Sequence, residues 1–80
     1  MTKIPPNWLT ERLSPEAIEV KLKRLADYPD WQRLKGVAQR GDEFWSFRSP
    51  PATWPAKVGA AGYALVRQGV PIASFTILRS

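Results

Sequence analysis

Two apolar runs close the chain, residues 63–67 and 70–78, and only Gln68-Gly69 separates them. A two-residue spacer ending in glycine, set between β-branched and aromatic residues, specifies a β-hairpin, because a primed turn needs the positive φ that glycine accepts. Nothing else in the sequence restricts the fold as tightly. The turn sets an expected register in which Arg67 opposes Val70, Leu65 opposes Ile72 and Ala64 opposes Ala73. Side chains alternate along a strand, so Ala64, Val66, Ala73, Phe75 and Ile77 share one face and Tyr63, Leu65, Arg67, Ile72 and Ser74 the other. The first face is the expected core, with small Ala64 and Ala73 leaving space for a helix. Pro71 has no amide donor and belongs at an edge or outside the hydrogen-bonded ladder.

The second face of this hairpin is mixed rather than polar. Tyr63, Leu65 and Ile72 on it call for a cover. Three covers are available: the connection from Ser49 to Gly62, the N-terminal segment carrying Trp8, or a second copy of the chain.

Upstream, the apolar period changes from two to between three and four. Leu13-Ser14-Pro15-Glu16 reads as a helix start, with Ser14 capping, Pro15 at the first helical position and Glu16 facing the positive helix end. Leu13 and Ile18 stand where a hydrophobic staple closes the entry. Ile18, Leu22, Leu25 and Ala26 then form one stripe, with Lys21, Lys23 and Arg24 pointing away and Glu19 four residues before Lys23. Tyr28-Pro29 ends this helix. A shorter helix follows, with Trp31, Leu34 and Val37 or Ala38 on its inner side, Gly36 as a weak point, and Gly41 as the C-terminal cap. Asp27 and Asp30 flank Pro29 as turn and cap residues. Phe44-Trp45-Ser46-Phe47-Arg48 reads as a strand stopped by Ser49-Pro50-Pro51. Residues 1–13, with Pro5-Pro6, read as an extended arm. The expected fold is therefore α+β: one or two N-terminal helices (residues 14–40) packed on a three-stranded, mostly antiparallel sheet (residues 43–78), in a single domain.

Eighty residues support one core and no interdomain cleft. The chain has neither cysteine nor histidine, which removes disulfides, thiolate and imidazole metal ligands and every Ser-His or Cys-His catalytic pair. Asp42 and Glu43 are adjacent, and neighbours on a strand point to opposite faces, so they are poorly placed to share a metal or a proton. No catalytic residue, metal site or cofactor is expected. The N-terminus lacks the apolar stretch of a secretory signal and no run is long enough to span a bilayer, so the expectation is a cytoplasmic protein without a membrane partner.

The charge is unevenly placed. Residues 1–43 carry eight basic and seven acidic side chains, whereas residues 44–80 carry four basic and none acidic. Arg48, Lys57, Arg67 and Arg79 are interleaved there with Trp45, Phe47, Trp54 and Tyr63, the mixture that holds a phosphate backbone while stacking bases. The bland alternative is that the rings build the core and the cations solubilise the surface. Trp54 lies in a proline-stiffened connection of about a dozen residues, longer than compact domains usually need. It either presents Trp54 to a partner or folds it back as a lid. Gly59-Ala60-Ala61-Gly62 has the spacing of a KH-type GXXG clamp, but it leads into a strand, so tight packing or a bend is the expected reason for both glycines.

Gly41-Asp42-Glu43-Phe44-Trp45-Ser46-Phe47, Ser49-Pro50-Pro51, Trp54 and Gly62-Tyr63-Ala64-Leu65-Val66-Arg67-Gln68-Gly69 together resemble a group of small bacterial proteins without an assigned activity. The likeness covers residues 41–78. It implies a compact, freestanding bacterial protein and brings no site or cofactor with it. The functional expectation is a non-enzymatic protein-interaction module, self-associating as a homodimer or binding another protein, with Trp54, Tyr63, Leu65, Arg67, Ile72, Arg48 and Lys57 as candidate binding residues. The alternative is a weak, sequence-tolerant nucleic-acid binder using the basic C-terminal half.

Overall fold

The computed structural model describes residues 3–22 and 28–79. A 3-10 turn, Pro6–Trp8, leads into strand β1 (Leu9–Leu13), helices α1 (Pro15–Lys21) and α2 (Pro29–Val37), strand β2 (Glu43–Arg48), a second 3-10 turn (Pro51–Thr53), and strands β3 (Ala60–Arg67) and β4 (Val70–Arg79). All strand pairings are antiparallel, in the order β1-β2-β3-β4. The class is α+β as expected, but the sheet has four strands rather than three. The extra strand comes from the supposed arm: Leu9 pairs with Phe47 and Leu13 with Phe44. Its Thr-Glu-Arg centre has no apolar alternation and includes the strand-poor Glu11, and its pairing to β2 overrides that local pattern.

Helix α1 begins as its sequence dictates. The Ser14 hydroxyl accepts a hydrogen bond from the Ala17 N–H at 3.1 Å, and Pro15 follows at the first position. Tyr28 precedes α2, which Pro29 opens. The inner stripe of α1 holds through Ile18 and Leu22. Leu25, Ala26, the Glu19–Lys23 pair, Arg24 and Asp27 lie outside the described residues. Gly41 does not cap α2, which ends at Val37 with extended Ala38 after it. Instead Gly41, at φ 92°, sits in the turn that Asp42 closes by donating its N–H to the Gln39 carbonyl at 2.9 Å.

The hairpin turns at Gln68-Gly69 with positive φ at both residues, a type I′ signature. Arg67 faces Val70 and Val66 faces Pro71, as the two-residue turn requires, but Leu65 then faces Ala73 and not Ile72. Pro71 offers no ladder donor, and the extra residue after it, Ile72, makes a β-bulge. A second irregularity beside Gly62 accommodates Ile77. There a Cβ would fall 2.0 Å from the Phe75 carbonyl oxygen, so the close strand approach admits only glycine.

The first bulge shifts β3 against β4 by one residue: Ala73 and Phe75 face the core as expected, but Tyr63 and Leu65 join them there in place of Ala64 and Val66, and Ile77 is exposed. Tyr63, Leu65, Ala73 and Phe75 form the core with Phe44, and α1 and α2 bury Ile18, Leu22, Trp31 and Leu34 against them. Leu65 and Trp31 are wholly buried, and Ile72 packs half-buried against the same cluster. Aromatic rings organise this layer: Trp31 meets Phe44 edge-on at 5.2 Å between centroids, and Phe75 touches Tyr28, Trp31 and Tyr63. Burial also pushes the Tyr63 hydroxyl pKa up. Trp45, Phe47, Ala64 and Val66 occupy the opposite face by register. The N-terminal segment supplies part of its cover, with Trp8 parallel to Phe47 at 6.4 Å. No helix among the described residues is long and apolar enough to cross a membrane.

Candidate functional site

The seven side chains singled out in the sequence separate into three places. Tyr63, Leu65 and Ile72 belong to the core under the helices, so they form no exposed binding face. Arg67 lies at the hairpin end of the sheet, where its guanidinium donates to both oxygens of Asp42, at 2.9 and 2.8 Å. Arg48, Trp54 and Lys57 come together at the other end, about 23 Å away along β3.

The hairpin end is electrostatically closed. The Asp42 side chain is only 3% exposed. It accepts from the Arg67 guanidinium and from the Gln39 N–H, and these bonds hold its carboxyl at about 2, well below the usual carboxylate range. The same pairing raises the Arg67 pKa. Nearby, Arg12 lies 3.3 Å from Glu43, which also accepts from the Trp45 indole at 2.9 Å. A groove of about 420 Å³ runs past Arg12, Ser14, Asp42 and Glu43. Its ionised groups already have partners, and among the described residues no group of three acidic, cysteine or histidine side chains could hold a metal ion.

The opposite end is built differently. Beyond Arg48 the chain turns through Pro50 and Pro51, and a buried serine that sequence reading passed over fastens the turn. The Ser49 N–H donates to the Ala60 carbonyl at 2.8 Å, and the Ala60 N–H donates to the Ser49 hydroxyl oxygen at 2.9 Å. The Thr53 hydroxyl donates to the Pro50 carbonyl at 2.6 Å, so the Ser49 hydroxyl proton is the one shared between Ser49 and Thr53, also at 2.6 Å. The visible signal for this staple is the Ser-Pro-Pro-x-Thr pattern, a local side-chain-to-backbone turn motif.

That staple seats Trp54. Its indole N–H donates to the Ser49 carbonyl at 3.3 Å, and its ring lies so near Gly59 that a Cβ there would fall 2.5 Å from it. Trp54 is therefore folded onto its own connection. Above it stands the Arg48 guanidinium, 4.3 Å from the ring centroid. Stacking a planar guanidinium on indole restricts its rotamers and leaves its in-plane N–H groups free to donate. Arg48 is exposed, and among the described residues none of those N–H groups meets an acceptor.

Lys57 ends the same turn in an unusual way. The Val58 N–H donates to the Thr53 carbonyl at 2.9 Å and the Lys57 N–H to the Trp54 carbonyl at 3.1 Å, the bond pattern of a Schellman motif. The position after the cap in this motif is left-handed and usually glycine; here it is Lys57 at φ 61°. An L residue in that region costs roughly 1–2 kcal/mol. Arg79 pairs with Ala60 at the end of β4, placing a third cation at this end, on the opposite face from Arg48. Exposed aliphatics accompany the cations: Val58 is 66% and Leu78 52% exposed. Arg48, Lys57 and Arg79 have no ion pair with any described carboxylate. Compared with known protein families, curated proteins and solved structures, the chain matches none.

Proposed function

We propose that the chain is a small, non-enzymatic binding module that engages single-stranded nucleic acid weakly and without strong sequence preference through the basic end of its sheet. One observation carries this reading: the acid-free C-terminal half delivers Arg48, Lys57 and Arg79 to one end, where no described carboxylate neutralises them. Cations placed like this attract a phosphate backbone, and affinity resting on them falls with salt. Trp54 serves as the support for Arg48, since Arg48 takes up one side of its ring, and so it is not a free platform for a base. The test is titration of labelled single-stranded DNA and RNA at low salt and at near-physiological salt. Binding at low salt that weakens steeply as salt rises is the expected result, and an absence of binding at low salt ends the reading.

A second reading, a protein-interaction module including self-association, rests on the helix-free side of the sheet. Trp45 and Trp8 are half-buried there, above fully buried Ala64 and Val66. Light scattering at high concentration checks it: a dimer mass lost on Trp45→Ser supports this surface, and a strict monomer removes self-association.

A further inference from the structure

Resting on the nucleic-acid reading above, we infer that Arg48 and Lys57 form a two-cation clamp for adjacent phosphates of a single strand, and that Lys57 occupies its strained position because the amine is needed there. The Ser49–Thr53–Ala60 staple holds the connection in which Trp54 lies, and Trp54 meets the Arg48 guanidinium through its ring and the Lys57 backbone N–H through its carbonyl. Arg48 supplies a planar fork already oriented by indole, suited to two phosphate oxygens at once. Lys57 supplies a point charge on a flexible stem, suited to the next phosphate along a strand.

The left-handed backbone separates a functional lysine from an incidental one. If turn geometry alone governed the position, glycine would serve better, because it accepts positive φ without a Cβ clash. Gln68, the other described residue of this kind, is followed by Gly69 in a hairpin turn that requires positive φ at both places. The Schellman turn likewise requires positive φ at Lys57, but it makes no demand for a long cationic side chain. Backbone strain of this sort gathers where a site must hold a particular group.

The experiment compares the full chain with Lys57→Gly and Lys57→Asn, both compatible with a left-handed backbone, and with Arg48→Lys. The probes are fluorescein-labelled oligothymidylate and oligouridylate, read by anisotropy between about 50 and 200 mM salt, with melting temperature measured in parallel. Both Lys57 variants are expected to keep or raise the melting temperature. They should lose roughly five- to tenfold in affinity at about 50 mM salt and make the salt slope shallower by roughly 0.7, the contribution of one phosphate contact on a single strand. Arg48→Lys should weaken binding while leaving the slope unchanged, since it keeps the charge and loses the fork.

Wild-type affinity and slope in both Lys57 variants would overturn the clamp while leaving the broader reading intact. So would an affinity loss that tracks a lowered melting temperature, because that marks a purely structural lysine. Wild-type chain that fails to bind either oligonucleotide overturns both readings, as does binding to phosphatidylserine vesicles without binding to oligonucleotides. An affinity for inorganic phosphate alone equal to that for the oligonucleotide, at matched ionic strength, would show a site for a free anion, and so overturn the strand-spanning clamp.

Discussion

The two ends of the sheet share β2 and β3, yet they use charge in opposite ways. At the hairpin end, Arg67 and Arg12 are matched by Asp42 and Glu43, and the paired ions tie the β2 entry to β3 and to β1. At the far end, Arg48 rests on indole and Lys57 and Arg79 meet no described carboxylate. Each end also contains one non-glycine residue with positive φ, Gln68 at the hairpin and Lys57 in the connection. The contrast shows that similar arginines in one chain are given different surroundings by their neighbours. A guanidinium gripping a buried carboxylate holds the fold, whereas one propped on a ring keeps its donors available.

Breaking the sheet common to both ends should have the largest effect. Gly62→Ala places a Cβ 2.0 Å from the Phe75 carbonyl oxygen, an obstruction made of backbone rather than a movable side chain. The expected loss is roughly 3 kcal/mol or more in urea unfolding, with both ends lost together. If the variant unfolds like wild type, β3 and β4 do not approach as closely as described.

Next in size is Asp42→Asn, which removes the charge from the closed end alone. The Asp42 carboxyl titrates at about 2 when folded, against an ordinary 3.8. Because the folded value is the lower one, its stabilisation is complete above the ordinary value and drains away as pH falls from about 4 towards 2. Melting temperatures followed through that range should show wild type losing stability and the variant, lower at neutral pH, losing much less. Oligonucleotide affinity should stay unchanged, and a fall in it would erase the distinction between the two ends.

Much of the closed end was legible in the sequence. Gln68-Gly69 announced the turn, and Ser14-Pro15-Glu16 announced α1, because both signals depend on backbone conformations that few residues accept. The face assignment was not legible. It depends on Ile72 bulging after Pro71, and one extra residue exchanges every side chain beyond it between faces, so Leu65 moved from the surface into the core. Strand β1 was hidden for a related reason: Thr10-Glu11-Arg12 has no apolar alternation and is held by its partner strand. For the open end, the acid-free composition was visible, but the meeting of Arg48 with Trp54 depends on Ser49 and Gly59 folding the connection back. Arg67 looked equivalent to Arg48 only because its Asp42 partner is 25 residues away.

Gly59→Ala tests whether the open end relies on that seat. The added methyl would fall 2.5 Å from the Trp54 ring, which is half-buried and able to swing outward. Stability should drop by about 1–2 kcal/mol, less than for Gly62→Ala, because the obstruction is a side chain at the surface. Arg48 loses its support in the process, so oligonucleotide binding should weaken more than the fold does, and retained affinity would separate Arg48 from Trp54.

The smallest effect is expected from Gln68→Asn, and it completes the comparison of the two left-handed residues. Asparagine followed by glycine is the preferred pair for a type I′ turn, so the change should stabilise the hairpin by on the order of 0.5 kcal/mol. Gln68 sits beside Asp42 and Arg67, far from Arg48 and Lys57, and carries no charge that a phosphate would meet. Oligonucleotide affinity and its salt slope should therefore match wild type while the melting temperature rises slightly. Relief of strain at Lys57 is expected to keep or raise stability as well, but with a loss of binding. If Gln68→Asn also weakened binding, left-handed strain would affect the whole sheet, and the position of Lys57 would no longer single out its amine.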